Sequence, residues 1–400
     1  MIRKGSFIQN IILQRFRSIE SANITFSNPT FLVGVNGSGK SNIIDAFSFL
    51  SDVMTIPLQA AFDKRGGIEA VRYRSGQKSR PGNFGLRITL HYPEGDNLSG
   101  VYAFEIRALS YHSFEVVREQ CRVTMRNKDI NYFERREKDF RTNVAGLNPA
   151  IERNALALPI AGGLKQFAPV LKVLSSMRVY SLEPGTIREL QDPDSGTTLR
   201  KDGSNITSVL QELERQKYPN LKKLYEFLNK IAPGTTNVRS IKHGKKLSLK
   251  FSQKWNENKS LEFEAFSMSD GTLRAVGLLA AVMQNPPPSL IGIEEPEATI
   301  HPGALGVVLD LIKYAAERYQ IIISTHSPDI LDAEWMEEDN IRVVKWEKGS
   351  THIFKLGQAS VSMLKGHLMG VGEMIRSNGI DTRPLFDSQD PSQLELFENI

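Results

Sequence analysis

The run Gly34-Val35-Asn36-Gly37-Ser38-Gly39-Lys40-Ser41 fits the spacing G-x-x-x-x-G-K-S and constrains this chain more than any other segment. Ahead of it, Thr30-Phe31-Leu32-Val33 is β-branched and apolar and reads as a strand. Behind it, Asn42–Leu50 carries apolar residues at helical spacing. A loop between strand and helix is the context this motif needs, and it sets an α/β fold. Gly34, Gly37 and Gly39 permit backbone angles and close approaches that a Cβ would block. Successive N–H groups, backed by the helix N-terminus, then point at phosphate oxygens. Lys40 can reach the β and γ phosphates of ATP, and the Ser41 hydroxyl can ligate Mg²⁺. The bland alternative is a glycine-rich turn that matches by chance, and the flanks weigh against it.

Three further segments carry polar chemistry. Ser289–Glu297 is an apolar strand that ends in acids, where an α/β sheet places its ligand chemistry. Glu294 is placed to hold Mg²⁺, and Glu295 to orient and deprotonate an attacking water. Alone, the same pattern is equally an acidic surface turn. Ile321–Pro328 is a second buried strand and ends in His326, which could contact the γ-phosphate and the water, or simply be a polar strand end. Ser267–Arg274 precedes an apolar helix over Ala275–Met283, and Ser269 and Gly271 there offer a hydroxyl and N–H groups to a phosphate. If that loop faces outward, a second subunit supplies it.

This ordered set resembles the ATP-binding-cassette class of ATPases, and more closely the RecF/SMC-like branch and the ATPase domain of OLD-family proteins. Gly34–Ser41 is similar to Walker A, Met268–Thr272 to the signature loop, Leu290–Glu294 to Walker B and Glu297–Pro302 to the D-loop region. The resemblance implies a P-loop fold of ABC-ATPase head type, with an antiparallel β subdomain and an inserted helical lobe. It implies ATP and Mg²⁺ as cofactors, a dimer closed around ATP, Glu295, His326 and Lys40 as catalytic groups, and nucleotide contacts from Gly34, Asn36–Asn42, Ser269 and Gly271. Leu13–Ser18 looks like the family's first strand, whose end lies near the adenine, so Arg17 joins the nucleotide set. Gln77 is the candidate Q-loop ligand of the metal beside Ser41 and Glu294; a solvated basic loop is an equal reading of its segment. Asp270 stands where the family usually carries a second glycine, and Glu294 where it carries an aspartate. Both changes leave the catalytic groups present.

The 400 residues are 40% hydrophobic and 24% charged, with a net charge of +5. This fits a soluble, cytoplasmic globular protein with no membrane association, and it permits a polyanion such as DNA as partner. The lone Cys121 excludes an internal disulfide and reads as a buried thiol in a reducing compartment. No cysteine partners the histidines at zinc-ligand spacing. Strands are expected over Leu86–Tyr92, Val101–Ile106, Phe114–Val117 and Gln120–Met125, then a charged loop or hairpin over 126–146 and mainly helix over 163–230. Asp202-Gly203-Ser204, just before Asn205-Ile206, reads as a cap for the helix that follows. The domain reading is an ATPase head of residues 1–125 and 240–345, an inserted loop and helical lobe of 126–239, and a C-terminal extension and flexible tail of 346–400.

Pro-Gly breaks at 184–185 and 233–234 rule out a long heptad arm. No Asp-x-Asp pair follows residue 328, so a Toprim-type nuclease centre is not expected, and any nuclease effector would be a separate protein. The leading function is an ATPase that controls a DNA- or nuclease-related process, with antiphage defence ahead of DNA repair or recombination. A transporter ATPase subunit and a non-hydrolysing nucleotide switch fit less well. Finally, Gln393-Leu394-Glu395-Leu396-Phe397 resembles the short peptide by which bacterial replication and repair proteins dock on the sliding clamp; the alternative is a tail that packs its Leu and Phe on its own chain.

Overall fold

Alternating apolar and polar residues build the N-terminal part into strands, as β4 shows with its run of buried positions on one face. The computed structural model describes residues 7–74, 82–92, 97–256, 259–386 and 394–398. Gln77 and Gln393 therefore lie outside the described residues. The chain divides into two compact units, one of Met1–Met177, Glu337–Leu368 and Ile380–Ile400, the other of Arg178–Met336 and Met369–Gly379.

In chain order the first unit opens with β1 (Phe7–Phe16), β2 (Ile19–Thr25), β3 (Thr30–Val33), α1 (Lys40–Thr55), α2 (Leu58–Asp63) and α3 (Ile68–Val71). It continues through β4 (Phe84–His91), β5 (Asn97–Ala108), β6 (Phe114–Met125), β7 (Ile130–Arg136), β8 (Asp139–Thr142), α4 (Leu158–Ala161) and α5 (Ala168–Ser175). The second unit holds β9 (Arg178–Tyr180), α6 (Pro184–Arg188), α7 (Ile206–Arg215), α8 (Leu221–Ile231), β10 (Thr235–His243), β11 (Lys246–Asn256) and β12 (Lys259–Glu264). It goes on with α9 (Asp270–Val282), β13 (Leu290–Glu294), α10 (Leu305–Ala316) and β14 (Gln320–Thr325). The chain closes with β15 (Ile341–Glu347), β16 (Ser350–Leu356), α11 (Gln358–Lys365), α12 (Val371–Arg376) and β17 (Thr382–Pro384).

The first unit is built on a seven-stranded sheet in the order β2-β1-β4-β5-β6-β7-β8, with each pair antiparallel. Helix α1 lies on one face through Phe49, whose ring meets Phe16 at 5.9 Å, Phe62 at 5.5 Å and Phe84 at 6.1 Å. These fully buried rings fix the helix, and so fix the loop that precedes it. Beside them, β3 pairs parallel with β15, which pairs antiparallel with β16. In the second unit β13 lies parallel between β9 and β14, and β10-β11-β12 form a three-stranded antiparallel sheet.

Several expectations need correction. The two strands read over 114–117 and 120–125 are one, β6, because register is carried past Arg118 and Glu119 by pairing with both β5 and β7. The charged 126–146 segment does form a hairpin, β7–β8, but not a wholly solvated one, because Glu134 and Arg135 in it are buried. The stretch 163–230 is broken by strand β9, whose Val179 and Tyr180 enter the core. The expected cap at Asp202-Gly203-Ser204 does not form: Asp202 accepts from the Ser204 N–H at 3.0 Å, and the N-cap position falls to Asn205, whose amide is taken by Asp194 and the Thr198 carbonyl, each at 2.9 Å.

The tail packs as the alternative to clamp docking has it. Leu396 is buried against the chain's own sheet, and the Phe397 ring lies under the Arg118 guanidinium at 4.2 Å. The two side chains a clamp would need are thus engaged at home. Cys121 is buried in β6, where burial pushes its thiol well above the usual range.

Candidate nucleotide site

The turn after β3 is shaped by its glycines. Gly39 has φ 103°, and a Cβ there would collide with the hydroxyl of Thr351 on β16. That hydroxyl donates to the Ser38 carbonyl at 3.0 Å and pairs with the Ser18 hydroxyl at 2.8 Å. Ser18 in turn accepts from the Asn42 amide at 2.5 Å. A short hydroxyl ladder from the β1–β2 turn and β16 therefore clips the loop on both sides of Gly39. Neither Ser18 nor Thr351 was legible as part of the site, because the contact joins residues more than three hundred positions apart.

The loop's own groups fit an anion. No side chain caps α1, which starts at a left-handed glycine with no acid in its first turn. Lys40 folds over the loop, its ammonium donating to the Gly34 and Val35 carbonyls at 2.6 and 3.0 Å. The Ser38 hydroxyl is buried with no protein partner. Val35, Asn36, Gly37 and Ser41 are exposed at the loop's surface. Arg17, also left-handed at φ 49°, is held by the Asp45 carboxylate at 2.6 Å, and Arg65 reaches the same carboxylate at 3.1 Å.

The second unit brings the acids and the histidine together. β13 and β14 run parallel in register, Glu294 opposite Ser324, so both strand ends deliver their polar residues side by side. Glu295 follows in a left-handed conformation at φ 46°, a strained position for a glutamate. Its N–H donates to the Ser324 carbonyl at 2.9 Å. Its carboxylate meets His326 Nδ1 at 3.0 Å. Buried Arg274, on α9, donates to the carbonyls of Leu182 (2.6 Å), Glu294 (3.1 Å) and Glu295 (2.6 Å). Burial pushes that guanidinium below its usual value, with the Glu297 and Glu295 carboxylates pulling the other way. Glu294 is approached by the Lys201 ammonium at 3.4 Å. Lys201 and Arg274 were missed by the sequence reading; a basic residue five positions after Ser269 was the available signal for the latter.

At the start of α9, Ser269 is the N-cap, its hydroxyl accepting from the Thr272 N–H at 3.2 Å. Ser269, Asp270, Gly271, Thr272, Thr299 and His301 line a cleft of about 320 Å³. Glu297, next to it in sequence, is buried and accepts from the Thr325 hydroxyl at 2.5 Å.

A phosphate-type loop between strand and helix in one unit, and a parallel strand pair ending in acids and a histidine in the other, define a mixed α/β P-loop ATPase fold of the ABC head class. The family model described as "AAA domain, putative AbiEii toxin, Type IV TA system" matches residues 30–332, and the chain belongs to this AAA family. Among solved structures the fold is similar to an Smc head bound to the C-winged helix domain of ScpA, at 15% identity and TM-score 0.54, covering 88% of this chain and 98% of that one. It is similar also to an Smc head domain with an extended coiled coil bound to the C-terminal domain of ScpA from Pyrococcus furiosus, at 15% identity and TM-score 0.54, covering 91% and 99%. A search of curated proteins finds no match. Among the described residues no helix is long and apolar enough to cross a membrane.

Proposed function

We propose that this chain is an OLD/RecF-like ATPase that binds and hydrolyses ATP, dimerises around it, and drives a separate nuclease or other effector in bacterial antiphage defence. The observation that carries the hydrolytic part is the Glu295–His326 pair, with Glu295 pinned in a strained conformation by Ser324 and Arg274. In this reading Lys40 and the N–H groups of Gly37–Ser41 neutralise the phosphate charge of ATP. Glu295 takes the proton of the attacking water, and His326 holds the carboxylate and senses the γ-phosphate. Mg²⁺, when bound, would neutralise charge on the phosphates, and Ser41 and Glu294 are the groups to hold it. Lys201 then serves as the resting counterion of Glu294.

The dimer reading rests on the exposed start of α9. Ser269 and Asp270 are exposed on the wall of the 320 Å³ cleft, open to a phosphate held by a second copy. The effector part of the proposal draws on the family model's description, which names a type IV toxin–antitoxin system. The test of the hydrolytic core is Glu295→Gln, which keeps size and hydrogen bonding but cannot accept a proton. Phosphate release should fall by about a hundredfold or more, while ATP binding persists. A variant with wild-type turnover would remove Glu295 from its role.

A further inference from the structure

Residues 394–398 cross the face of the seven-stranded sheet opposite the one that meets Phe49. The strap does not extend the sheet at an edge; it is read by side chains that stand on β1, β4 and β6. Gln14 donates its amide to the Leu394 carbonyl at 2.6 Å, and Arg87 donates to the Glu395 carbonyl at 3.3 Å. Leu396 fills the space above Gly85, where any Cβ would collide with its side chain. Arg118 covers the Phe397 ring. The Glu398 carboxylate lies between Arg87, at 2.5 Å, and Arg122, at 2.9 Å. The buried Gln120 amide makes both of its bonds to one residue, donating to the Glu398 carbonyl at 2.9 Å and accepting its N–H at 3.1 Å.

This is recognition anatomy rather than core packing. Two amides fix the strap's backbone, a glycine gap selects Leu, a guanidinium face selects an aromatic ring, and two arginines select an acid. Part of the platform is also held by contacts of its own. Arg118 is held in place by Glu134 at 2.7 Å, and the residues beneath the strap are largely polar, so a bare face exposes little apolar surface to water. We propose that this face is a peptide-recognition site for a Leu-Phe-acid pattern, and that residues 394–398 occupy it as a tethered, exchangeable ligand.

The test uses the full chain and a fluorescent peptide of residues 391–400, read by anisotropy. In the wild type the tethered strap competes at the high effective concentration of an intramolecular ligand. Leu396→Glu with Phe397→Glu unseats it. The unseated chain should bind the peptide at least tenfold more tightly than the wild type, and adding Arg122→Glu should remove that gain. A peptide with Leu396→Ala and Phe397→Ala should bind at least tenfold more weakly. If the double variant loses its fold by circular dichroism, Glu398→Lys unseats the strap more gently and the same comparison holds. An unseated chain that binds no better than the wild type, or that takes both peptides equally, would show the strap to be fixed packing and overturn the proposal.

Discussion

Helices α1 and α9 both begin with a serine- and glycine-containing turn, yet they treat their unpaired N–H groups in opposite ways. At α1 a left-handed glycine occupies the cap, no side chain accepts from the first turn, and a lysine folds over it. At α9 the cap is Ser269 in an extended conformation, its hydroxyl already accepting from Thr272, with Asp270 adding a carboxylate to the first turn. Arg188 offsets that carboxylate at 2.5 Å. The first end is built to need an external anion; the second is complete in itself. On the proposed reading, α1 binds the nucleotide of its own chain, whereas Ser269 meets a phosphate only by exchanging one hydrogen bond for another. The α1 end should therefore control affinity, and the α9 end turnover.

The sharpest way to break this contrast is at Lys40. Lys40→Ala removes the charge that balances the phosphates, so ATP binding by titration should be lost and phosphate release should drop by about a hundredfold or more. If Lys40→Ala bound ATP normally, α1 would not be the affinity end. Next comes Ser269→Arg, which places a bulky cation at the mouth of the cleft. It should reduce turnover by about tenfold or more while ATP affinity stays near wild type. Mixing Lys40→Ala with Ser269→Arg would assemble one doubly defective and one intact site, and activity should partly return. Failure to recover, with both proteins folded, would argue against a site shared between copies. Smaller still is Ser269→Ala, which removes the cap and should cost about 1 kcal/mol of unfolding free energy in urea. A larger loss would mean that the hydroxyl does more than cap its helix.

The two helix ends also differ in how legible they were. Each announced itself in sequence, because local chemistry dictates both: glycines and a lysine at one, a serine and a glycine ahead of an apolar helix at the other. What supports them was not legible. Thr351 occupies the space a Cβ on Gly39 would take, and Arg274 holds the carbonyls of Glu294 and Glu295; both follow from strand pairing and helix packing, not from neighbours in sequence. Sequence pattern divides the strand at 114–125 into two, because the charged pair Arg118-Glu119 interrupts its apolar alternation. Buried polar residues defeat alternation rules in this way, since Glu119 sits in the core with its own partners. The tail's Leu-Phe pair reads in sequence either as a docking element or as self-packing, and only the packed structure, with Leu396 buried and Phe397 under Arg118, favours the second.

Glu119 extends the comparison to a third helix end. Its carboxylate accepts the N–H groups of Ala157 at 2.6 Å and Leu158 at 2.9 Å where α4 begins, and the Tyr102 hydroxyl at 2.9 Å. Here the helix start is given an internal carboxyl acceptor from β6. Burial raises the Glu119 carboxyl above its usual range, while the two N–H groups, Tyr102 and Arg135 pull it down without cancelling the burial. A raised carboxyl means that the folded state takes up a proton more readily than the unfolded chain. Its contribution is fully present below the unfolded value and declines as pH rises through the folded one. Glu119→Gln cannot titrate and loses one acceptor, so it should be less stable than wild type by about 1–3 kcal/mol in acid. The gap should then narrow as pH is raised toward neutrality, because only the wild type loses stability through this group. Urea unfolding of both proteins from pH 4.5 to 7.5 reads it directly. A gap that widens with pH would mean that the charged carboxylate is the favoured form, and that an anion at this helix start is stabilised as fully as the one proposed for α1.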